Sequence, residues 1–421
     1  MDYSKFFARR TTFRTDNLIR RLTKIYYQNP GSVNLGSGMP NTTLFPFQNL
    51  SFTNGDKTTT LTPQELATAL QYGPSPGYLP LLQKWKDFQK NRHNPLFENW
   101  GIAIVPGSQD GFYKVLDMII EEGDPIMVQA PGYTGTIAAV HAMAPEYIGI
   151  PQDADGIIPA EIEKICSERR NNNKKLPKAL CVNPIGANPT GTVLTTDRKR
   201  EIYQLAKKYD FLIIEDDPYY FVHFLDSQPP SFLSMDTDGR VIRLDTFSKI
   251  ISSGLRLGVV TAHTEVIDKL IVSIQNTVLH ASSLSQMLLF KLLDDWTTEE
   301  FENHIKKVQT FYKSQRDVMI KCLKIHLEGL AEWTVPNAGM FIWIKLKTSH
   351  NALNLLMDKL IPNGVFMIPG SAFNYEDTPD DHHLRLCYSF STEEEINRAL
   401  EVLVRFLREN ITPEDTKAGT E

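Results

Sequence analysis

Residues 240–262 read RVIRLDTFSKIISSGLRLGVVTA and contain two apolar runs, at 240–246 and 256–262, on either side of a polar segment. Four comparable runs precede them, namely IAIV (102–105), PIMVQA (125–130), ALCVNP (179–184) and FLIIED (211–216). Patterns typical of amphipathic helices lie between most of these runs, for example at 109–121 and 197–208. Apolar runs that alternate with helical patterns indicate βαβ units, so we expect an α/β fold with a mainly parallel sheet.

The C-terminal part of the chain has a different pattern. We expect a hairpin at 333–346, further strands at 365–370 and 383–390, and an amphipathic helix at 394–409. Helical patterns between these segments and the larger sheet are expected to connect the two parts. Strands and helices in this order predict a smaller α+β domain at the C-terminus.

Composition argues against several classes of protein. The 421 residues include 44 basic and 50 acidic side chains without long blocks of one sign, which argues against a nucleic-acid partner. No apolar run approaches the roughly 20 residues that span a bilayer, so we expect no membrane partner. The cysteines, Cys166, Cys181, Cys322 and Cys387, are widely spaced and lack a histidine at metal-ligand spacing. We interpret them as reduced core residues of an intracellular protein and expect no metal site.

The first 21 residues allow two interpretations. They carry five arginines together with Ser and Thr, as a mitochondrial presequence does, but they also contain Asp2 and Asp16. An ordinary amphipathic arm fits this composition equally well. A mitochondrial and a cytoplasmic location are therefore both left open.

Ligands of parallel α/β sheets bind beyond the carboxyl ends of the strands, so the residues that follow each run are the first candidates for a site. The segment PGSQDG (106–111) follows one run and opens a helical pattern. Ser108 and the backbone N–H groups there are suited to hold a phosphate at the positive end of a helix. An ordinary N-cap serine is the alternative.

Two further strand ends carry polar groups. Asn188 lies in the loop NPIGANPTG (183–191), where its amide can reach a ligand oxygen, although such loops are often simple turns. Glu215, Asp216 and Asp217 directly follow an apolar run, and carboxylates at a buried strand end require a cation or another donor. Either a structural Arg or Lys or a bound cationic group balances them.

The lysine in the opening stretch has unusual neighbours. Lys249 lies among hydroxyl-bearing residues, and Arg256 follows seven positions later. A lysine that is desolvated or close to another cation becomes a nucleophile towards carbonyls, whereas a solvated loop lysine is the alternative. The candidates thus comprise this lysine, a carboxylate, an amide donor and a phosphate site formed by Ser108, Thr246, Ser248 and Arg256. These are the groups that bind pyridoxal 5'-phosphate, which has an aldehyde, a ring nitrogen and a phosphate. We therefore predict that Lys249 bonds to the aldehyde of this cofactor.

Over nearly its whole length the chain resembles the class I pyridoxal-phosphate aminotransferases of fold type I, in particular the kynurenine/2-aminoadipate branch. The matching segments are GMPNTTLFPF, ALQYGPSPG, GSQDG, NPTG, YDFLIIEDDPYYF, SMDTDGRVIRLDTFSKIISSGLRLG, NAGMFIWIK and LRLCYSFS. The resemblance implies a homodimer with a mainly parallel, seven-stranded sheet sandwiched by helices. It also implies an N-terminal arm at 1–45 that joins the small domain and the substrate pocket, a large cofactor-binding domain at 46–314 and a small α+β domain at 315–421.

The resemblance further implies a role for each candidate in cofactor binding. Asp216 pairs with the pyridine nitrogen, and Asn188 and Tyr219 reach the ring hydroxyl. The residues implied to hold the phosphate are Ser108, Gln109, Thr246, Ser248 and Arg256. Tyr133 stacks on the ring and, with Lys249 and Asp216, belongs to the implied catalytic residues.

For the substrate, the resemblance implies that Arg385 grips the α-carboxylate with a two-point hydrogen bond. The residues implied to line the substrate pocket are Arg20, Gly38, Met39, Asn188 and Leu279. Arg20 would suit a distal carboxylate such as that of 2-aminoadipate or glutamate. Tyr72 is implied to cross the dimer interface and reach the phosphate held by the partner subunit.

The implied activity is a transamination in two half-reactions, a ping-pong mechanism. Kynurenine, 2-aminoadipate or a related aromatic amino acid passes its amino group to 2-oxoglutarate through the cofactor. One alternative is a lyase that uses the same cofactor for elimination at Cβ or C–S cleavage. Another is an aminotransferase-like sensor domain of a regulator, which would need a DNA-binding domain where only about 30 residues precede NLGSGMP (34–40).

Overall fold

The computed structural model of the chain describes every residue except 30, 34, 37, 349–350, 377–380 and 410–421, and of residues 20, 23, 24, 27, 28 and 409 only the backbone. Its strands are β1 (Ser51–Asn54), β2 (Lys57–Thr60), β3 (Trp100–Val105), β4 (Pro125–Ala130), β5 (Glu146–Asp153), β6 (Gly156–Ile157), β7 (Ala179–Val182), β8 (Leu212–Asp216), β9 (Val241–Thr246), β10 (Gly258–His263), β11 (Ala331–Trp333), β12 (Phe341–Leu346), β13 (Ile368–Pro369) and β14 (His383–Cys387). Its α-helices are α1 (Arg9–Phe13), α2 (Leu18–Gln28), α3 (Pro63–Leu70), α4 (Leu79–His93), α5 (Ser108–Ile119), α6 (Thr134–His141), α7 (Pro159–Asn171), α8 (Thr196–Tyr209), α9 (Thr264–Thr277), α10 (Ser283–Asp295), α11 (Thr298–Leu327), α12 (Ala352–Leu355) and α13 (Glu393–Glu409). Short 3₁₀ helices lie at Thr42–Leu44, Leu233–Met235, Ser253–Leu255, Ile361–Asn363 and Gly370–Phe373, and a π-helix lies at Leu356–Leu360.

The large sheet has eight strands in the order β3-β10-β9-β8-β7-β4-β5-β6. The pairs from β5 through β4, β7 and β8 to β9 are parallel, whereas β10 pairs antiparallel with both β9 and β3. The six apolar runs all form strands of this sheet, which confirms the predicted α/β fold. The expected count of seven is one too low because the chain turns back after β5 and adds the two-residue strand β6.

Helices cover both faces of the large sheet, and alternate residues of a strand contact opposite layers. In β8, Leu212 and Ile214 pack with residues of α5, α6 and α9, whereas Ile213 packs with residues of α7 and α8. Since both faces are buried, most side chains inside the strands are apolar, and the exceptions include the buried Arg243 of β9 and Thr261 of β10. The carboxyl ends of β7, β8 and β9 lie side by side, and this positions the site described below.

The first residues of the chain pack onto the large sheet and its helices. Tyr3, Phe6 and Ala8 are buried, and the Tyr3 hydroxyl donates a 2.6 Å hydrogen bond to the carbonyl oxygen of Gly239. The backbone N–H of Ala8 donates to the carbonyl oxygen of Met118 at 2.7 Å. This segment therefore contributes buried area and hydrogen bonds to the folded chain.

Replacing Tyr3 by phenylalanine is expected to lower the free energy of unfolding by about 1 to 2 kcal/mol, because the carbonyl of Gly239 would stay buried without its donor. Chemical denaturation measures this change. Tyr113→Phe, at an exposed position of α5, is the matched control and should change stability by less than about 0.5 kcal/mol. Equal, near-zero effects of the two substitutions would contradict the structural role of Tyr3.

The second sheet, in the order β11-β12-β14-β13, is entirely antiparallel. It confirms the predicted hairpin and strands, and α13 confirms the predicted C-terminal helix. Ile344, Leu384 and Leu403 belong to the core that this sheet forms with α11 and α13. The expected boundary between residues 314 and 315 falls inside α11, so one long helix spans it, and the domain bounds stay a prediction.

Three of the cysteines, Cys166, Cys181 and Cys322, are buried and free, as predicted. Cys387 is exposed, so its assignment to the core is wrong. The reason is the alternation of β14, in which Leu384 and Leu386 face the core and residues 385 and 387 face the other way. As far as the chain is described, no helix combines the length and apolar character that crossing a bilayer requires.

Candidate active site

A cleft of about 250 Å³ lies at the carboxyl ends of β7, β8 and β9. The predicted residues that line it are Ser108, Gln109, Tyr133, Asn188, Asp216, Tyr219, Thr246, Ser248, Lys249, Arg256 and Arg385. Asn183, Pro218 and Phe341 also line the cleft. A larger cavity of about 760 Å³ lies between α4 and the start of α11, and its described lining contains none of the predicted residues. The convergence of polar groups, rather than volume, therefore marks the site.

The anion-binding part of the cleft forms where β3, β9 and β10 meet. Ser108 begins α5, and the Thr246 hydroxyl at the end of β9 donates to the Ser248 hydroxyl at 3.0 Å. Arg256 adopts a left-handed conformation with φ = 51° and brings its guanidinium against Gly107. A Cβ on Gly107 would lie 2.5 Å from Nη2 of Arg256, so a larger residue would close this approach. Hydroxyls, helix N–H groups and a guanidinium around one point suit a phosphate.

Asp216 lies at the end of β8 and takes no hydrogen bond to its carboxylate from the described residues. Burial, together with the charge of Asp217, raises the pKa of this carboxyl to about 7. The structural cation expected for these strand-end carboxylates is Arg243, which pairs with Glu215 at 3.1 Å and with Asp217 at 2.9 Å. Asp216 is left for a bound cation, whose charge would lower its pKa again.

Lys249 presents an amine to the same cleft. Burial lowers the pKa of its ammonium group, and the charges of Arg256 and Arg385 lower it further. Its Nζ atom lies 5.9 Å from the centre of the Tyr219 ring. A lowered pKa increases the fraction of neutral amine, which is the form that attacks carbonyl groups.

The guanidinium group of Arg385 packs against two aromatic rings. Its guanidinium lies 4.1 Å from the ring centre of Phe341 and 5.0 Å from that of Phe373. Nη1 donates a 2.9 Å hydrogen bond to Oδ1 of Asn188, whereas the buried Nε has no partner among the described residues. A fixed guanidinium plane with an unused donor suits a carboxylate.

Sequence reasoning missed Asn183. Its Nδ2 donates to the backbone carbonyl of Asp216 at 2.7 Å, and its Oδ1 accepts from the backbone N–H of Asn188 at 3.0 Å. Gln129 accepts from the backbone N–H of Asn183 at 2.9 Å. Asn183 thus fixes two predicted cofactor contacts relative to each other. Its position directly after β7 was the available signal, whereas nothing in the sequence pattern singles out Phe341.

The structure does not bring every predicted residue to this cleft. Within the described part of one chain, Tyr72 and Met39 line a separate groove of about 480 Å³, and Gly38 and Leu279 lie at the surface. Arg20 belongs to α2, but its side chain lies outside the described residues. The roles of these five residues stay predictions.

The cleft fits pyridoxal 5'-phosphate on two structural observations. A Cβ at position 107 would collide with the Arg256 guanidinium of the phosphate site, and the half-buried Asp216 carboxylate has no protein donor in the described chain. The nearby Lys249 amine would meet the aldehyde, and Asn188 and Tyr219 would meet the ring hydroxyl. The described residues contain no group of three or more His, Cys, Asp or Glu side chains that could hold a metal ion.

Comparison with known proteins agrees with this chemistry. The family model "Aminotransferase class I and II" matches residues 33–403. The mitochondrial kynurenine/alpha-aminoadipate aminotransferase of Mus musculus is 40% identical over 98% of this chain and 100% of its own length. The crystal structure of aminotransferase Aro8 from Candida albicans covers 97% of this chain and 98% of its own, with a TM-score of 0.87 and 26% identity. That of the Pyrococcus horikoshii kynurenine aminotransferase in complex with PMP covers 98% and 99%, with a TM-score of 0.77 and 27% identity.

Fold and cleft together define a pyridoxal-phosphate enzyme of fold type I. The chain belongs to the class I and II aminotransferase family and is a pyridoxal-phosphate-dependent aminotransferase. The named relatives are aminotransferases, which favours transamination over the lyase and sensor alternatives.

Proposed function

We propose that the protein moves the amino group of kynurenine, 2-aminoadipate or a related aromatic amino acid to 2-oxoglutarate. The printed names of the relatives support the choice of donors. The observation that carries the proposal is the convergence of the Lys249 amine, the Asp216 carboxylate and the Arg385 guanidinium in one cleft. These groups can activate an amino acid that is held by its α-carboxylate.

Each group has a task that follows from its chemistry. Arg385 holds the α-carboxylate of the donor, and Asn188 fixes the guanidinium plane through its hydrogen bond. Pyridoxal phosphate supplies an aldehyde that combines with amines and a ring that accepts the electrons left when Cα loses its proton. Lys249 would take that proton from Cα as general base and then deliver it, as general acid, to C4' of the cofactor. Asp216 keeps the ring nitrogen protonated, and Tyr133 supports the ring face.

A panel of amino donors and 2-oxo-acid acceptors on the purified protein tests the proposal. We expect the highest kcat/KM for kynurenine, 2-aminoadipate or an aromatic amino acid with 2-oxoglutarate as acceptor. Release of pyruvate and ammonia without any acceptor would show elimination at Cβ instead. A preference for donors outside these classes would contradict the proposed specificity.

Replacing Arg20 by alanine is expected to lower kcat/KM for 2-aminoadipate and glutamate about tenfold, and to affect leucine little. A distal carboxylate would lose a charge-assisted hydrogen bond, whereas an apolar side chain would lose nothing comparable. Arg21→Ala changes the neighbouring arginine of the same helix and is the matched control. Equal losses for acidic and apolar donors would show that Arg20 does not recognise the distal group.

The proposal includes a homodimer in which each active site combines two chains. Tyr72, which is 46% exposed, contacts the ring of His280. Leu279 directly precedes His280 in the chain. Met39 lines the same groove as Tyr72. Residues predicted for cofactor and substrate binding thus lie together on a surface that does not line their own cleft. In a two-fold dimer, this surface of each subunit would contact the cleft of the other subunit.

Replacing Tyr72 by phenylalanine is expected to weaken cofactor binding by about tenfold or more, because a hydrogen bond to a charged phosphate would be lost. A cofactor titration of the apoenzyme measures the change. Tyr113→Phe, at an exposed position that does not line the groove, is the control. An unchanged dissociation constant in the Tyr72 variant would contradict the contact with the phosphate.

Mixed dimers decide which chain's cofactor Tyr72 serves. When Tyr72→Phe and Lys249→Ala chains are co-expressed, a hybrid dimer contains one site with an intact Lys249 and an intact Tyr72 from the other chain. Free exchange makes about half of the dimers hybrid, so roughly a quarter of wild-type sites should return at limiting cofactor. Activity equal to the mean of the two separate variants would show that Tyr72 does not act across the interface.

A further inference from the structure

A cluster of buried charges lies behind Asp216, on the opposite face of the large sheet. Residues 215 and 217 of the β8 end and residues 243 and 245 of β9 alternate with Asp216 and Leu244, so they face the other side. Glu215 and Arg243 are register partners in the parallel pair β8–β9. The Arg243 side chain is fully buried and also pairs with Asp245 at 2.8 Å. Three carboxylates therefore surround one guanidinium.

The hydrogen bonds of the three carboxylates are unequal. Glu215 also accepts from the backbone N–H groups of Phe232 at 2.7 Å and Leu233 at 3.2 Å, and Asp245 also accepts from Gln89. In Asp217, Oδ2 accepts from Arg243, whereas the buried Oδ1 has no partner in the described part of the chain. A buried oxygen without a donor costs stability, so the fold alone does not account for this carboxylate.

The charges around Asp217 leave an excess of negative charge beside Asp216. Arg243 offsets one of the three negative charges, and the buried Lys199 of α8, which is bonded to the carbonyl of Pro230 rather than to a carboxylate, offsets a second at longer range. Among the described residues, His93 and Tyr220 also face the cluster and both stay neutral, and the neighbouring Arg92 is paired with Glu302. Burial lowers the pKa of His93 well below its usual value, and burial raises that of the Tyr220 phenol.

We propose that Asp217 is a positioning residue for the transamination: anchored by Arg243, it adds negative potential behind Asp216 and helps keep the proton on the nitrogen of the bound cofactor ring. The inference rests on the proposed pairing of Asp216 with that nitrogen. Burial raises the pKa of Asp217 to about 7, so its carboxylate carries its charge under weakly alkaline conditions. Removing this charge should lower the pKa of the ring nitrogen without changing any contact between the protein and the cofactor.

The ¹⁵N chemical shift of the ring nitrogen, followed through a pH titration of holoenzyme loaded with ¹⁵N-labelled pyridoxal phosphate, tests the inference. Asp217→Asn keeps the shape and loses the charge, and we expect the nitrogen to lose its proton about one pH unit lower than in the wild type. Asp217→Glu retains a carboxylate and should restore the midpoint. Asp236→Asn is the structural control, because Asp236 is equally buried but precedes β9 at the end remote from the cleft.

Three outcomes separate the possibilities. A lower midpoint in Asp217→Asn alone supports the inference, and an unchanged midpoint in that variant overturns it. If the nitrogen of the wild type titrates as in free cofactor, the pairing with Asp216 itself is wrong, and with it the proposed mechanism. Asp217→Ser, a second neutral side chain, serves as the test should the Asn variant fail to fold.

Discussion

Replacing Lys249 by alanine is expected to reduce turnover at least about a thousandfold at any cofactor concentration. The variant would lose the group that takes the proton from Cα, and general acid–base catalysis alone contributes about a hundred- to ten-thousandfold. It would also lose the nucleophile that holds the aldehyde. The phosphate site of Ser108, Thr246 and Arg256 would stay intact, so the variant should still bind cofactor without a covalent bond. Steady-state kinetics at saturating cofactor and an ultrafiltration assay measure the two effects.

Lys345→Ala, on the exposed face of β12, is the matched control for this substitution and should keep nearly wild-type turnover. Substantial turnover in the Lys249 variant would show that another group moves the proton.

The second large effect is expected for Asp216→Asn, with turnover lowered by roughly a hundred- to thousandfold. Asparagine has the shape of aspartate but no charge to stabilise a protonated ring nitrogen. The loss of one preorganised electrostatic partner costs about 3 kcal/mol in the transition state. The cofactor should largely remain bound, because the phosphate site and Lys249 are unchanged. The rate constant of the first half-reaction, measured in a single turnover with excess amino donor, reports this effect directly.

Asp226→Asn, at an exposed position of the loop after β8, controls for the loss of a carboxylate elsewhere on the surface. If Asp216→Asn turned over at a near-normal rate with cofactor bound, the ring nitrogen would not depend on this carboxylate.

Much of the fold and of the cleft could be predicted because the signals are local. A strand buried on both faces is mostly apolar, so the apolar runs mark the strands and the polar residues that follow them mark the strand ends. Arg243 and Asp245 inside β9 are exceptions, and they pair with each other. In a parallel sheet those ends meet at one edge, which is why Asp216, Asn188 and Lys249 lie together although the chain separates them. The strand β5 was missed because its sequence, EYIGIPQD, is half polar and does not stand out as an apolar run.

Other features depend on contacts that the sequence pattern does not encode. Phe341 and Arg385 lie on neighbouring strands of the small sheet, so both reach the cleft only because that sheet packs beside it. Asn183 matters through the backbone atoms that it joins. The proposed roles of Tyr72 and Leu279 involve a second chain, and a local sequence pattern does not encode contacts between chains. Cys387 is exposed because β14 contacts the core through its other face, which carries Leu384 and Leu386. Each of these is a property of packing between distant segments.

The central claim, that Lys249 holds the cofactor, is tested most directly by reducing the holoenzyme with sodium borohydride and mapping the labelled peptide. Reduction makes the bond between the cofactor and its lysine permanent, so the site of attachment survives digestion. The account predicts one labelled lysine, within the peptide that spans residues 246–256 and contains Lys249. A label on any other lysine, or no covalent label in a protein that has bound the cofactor, would contradict it.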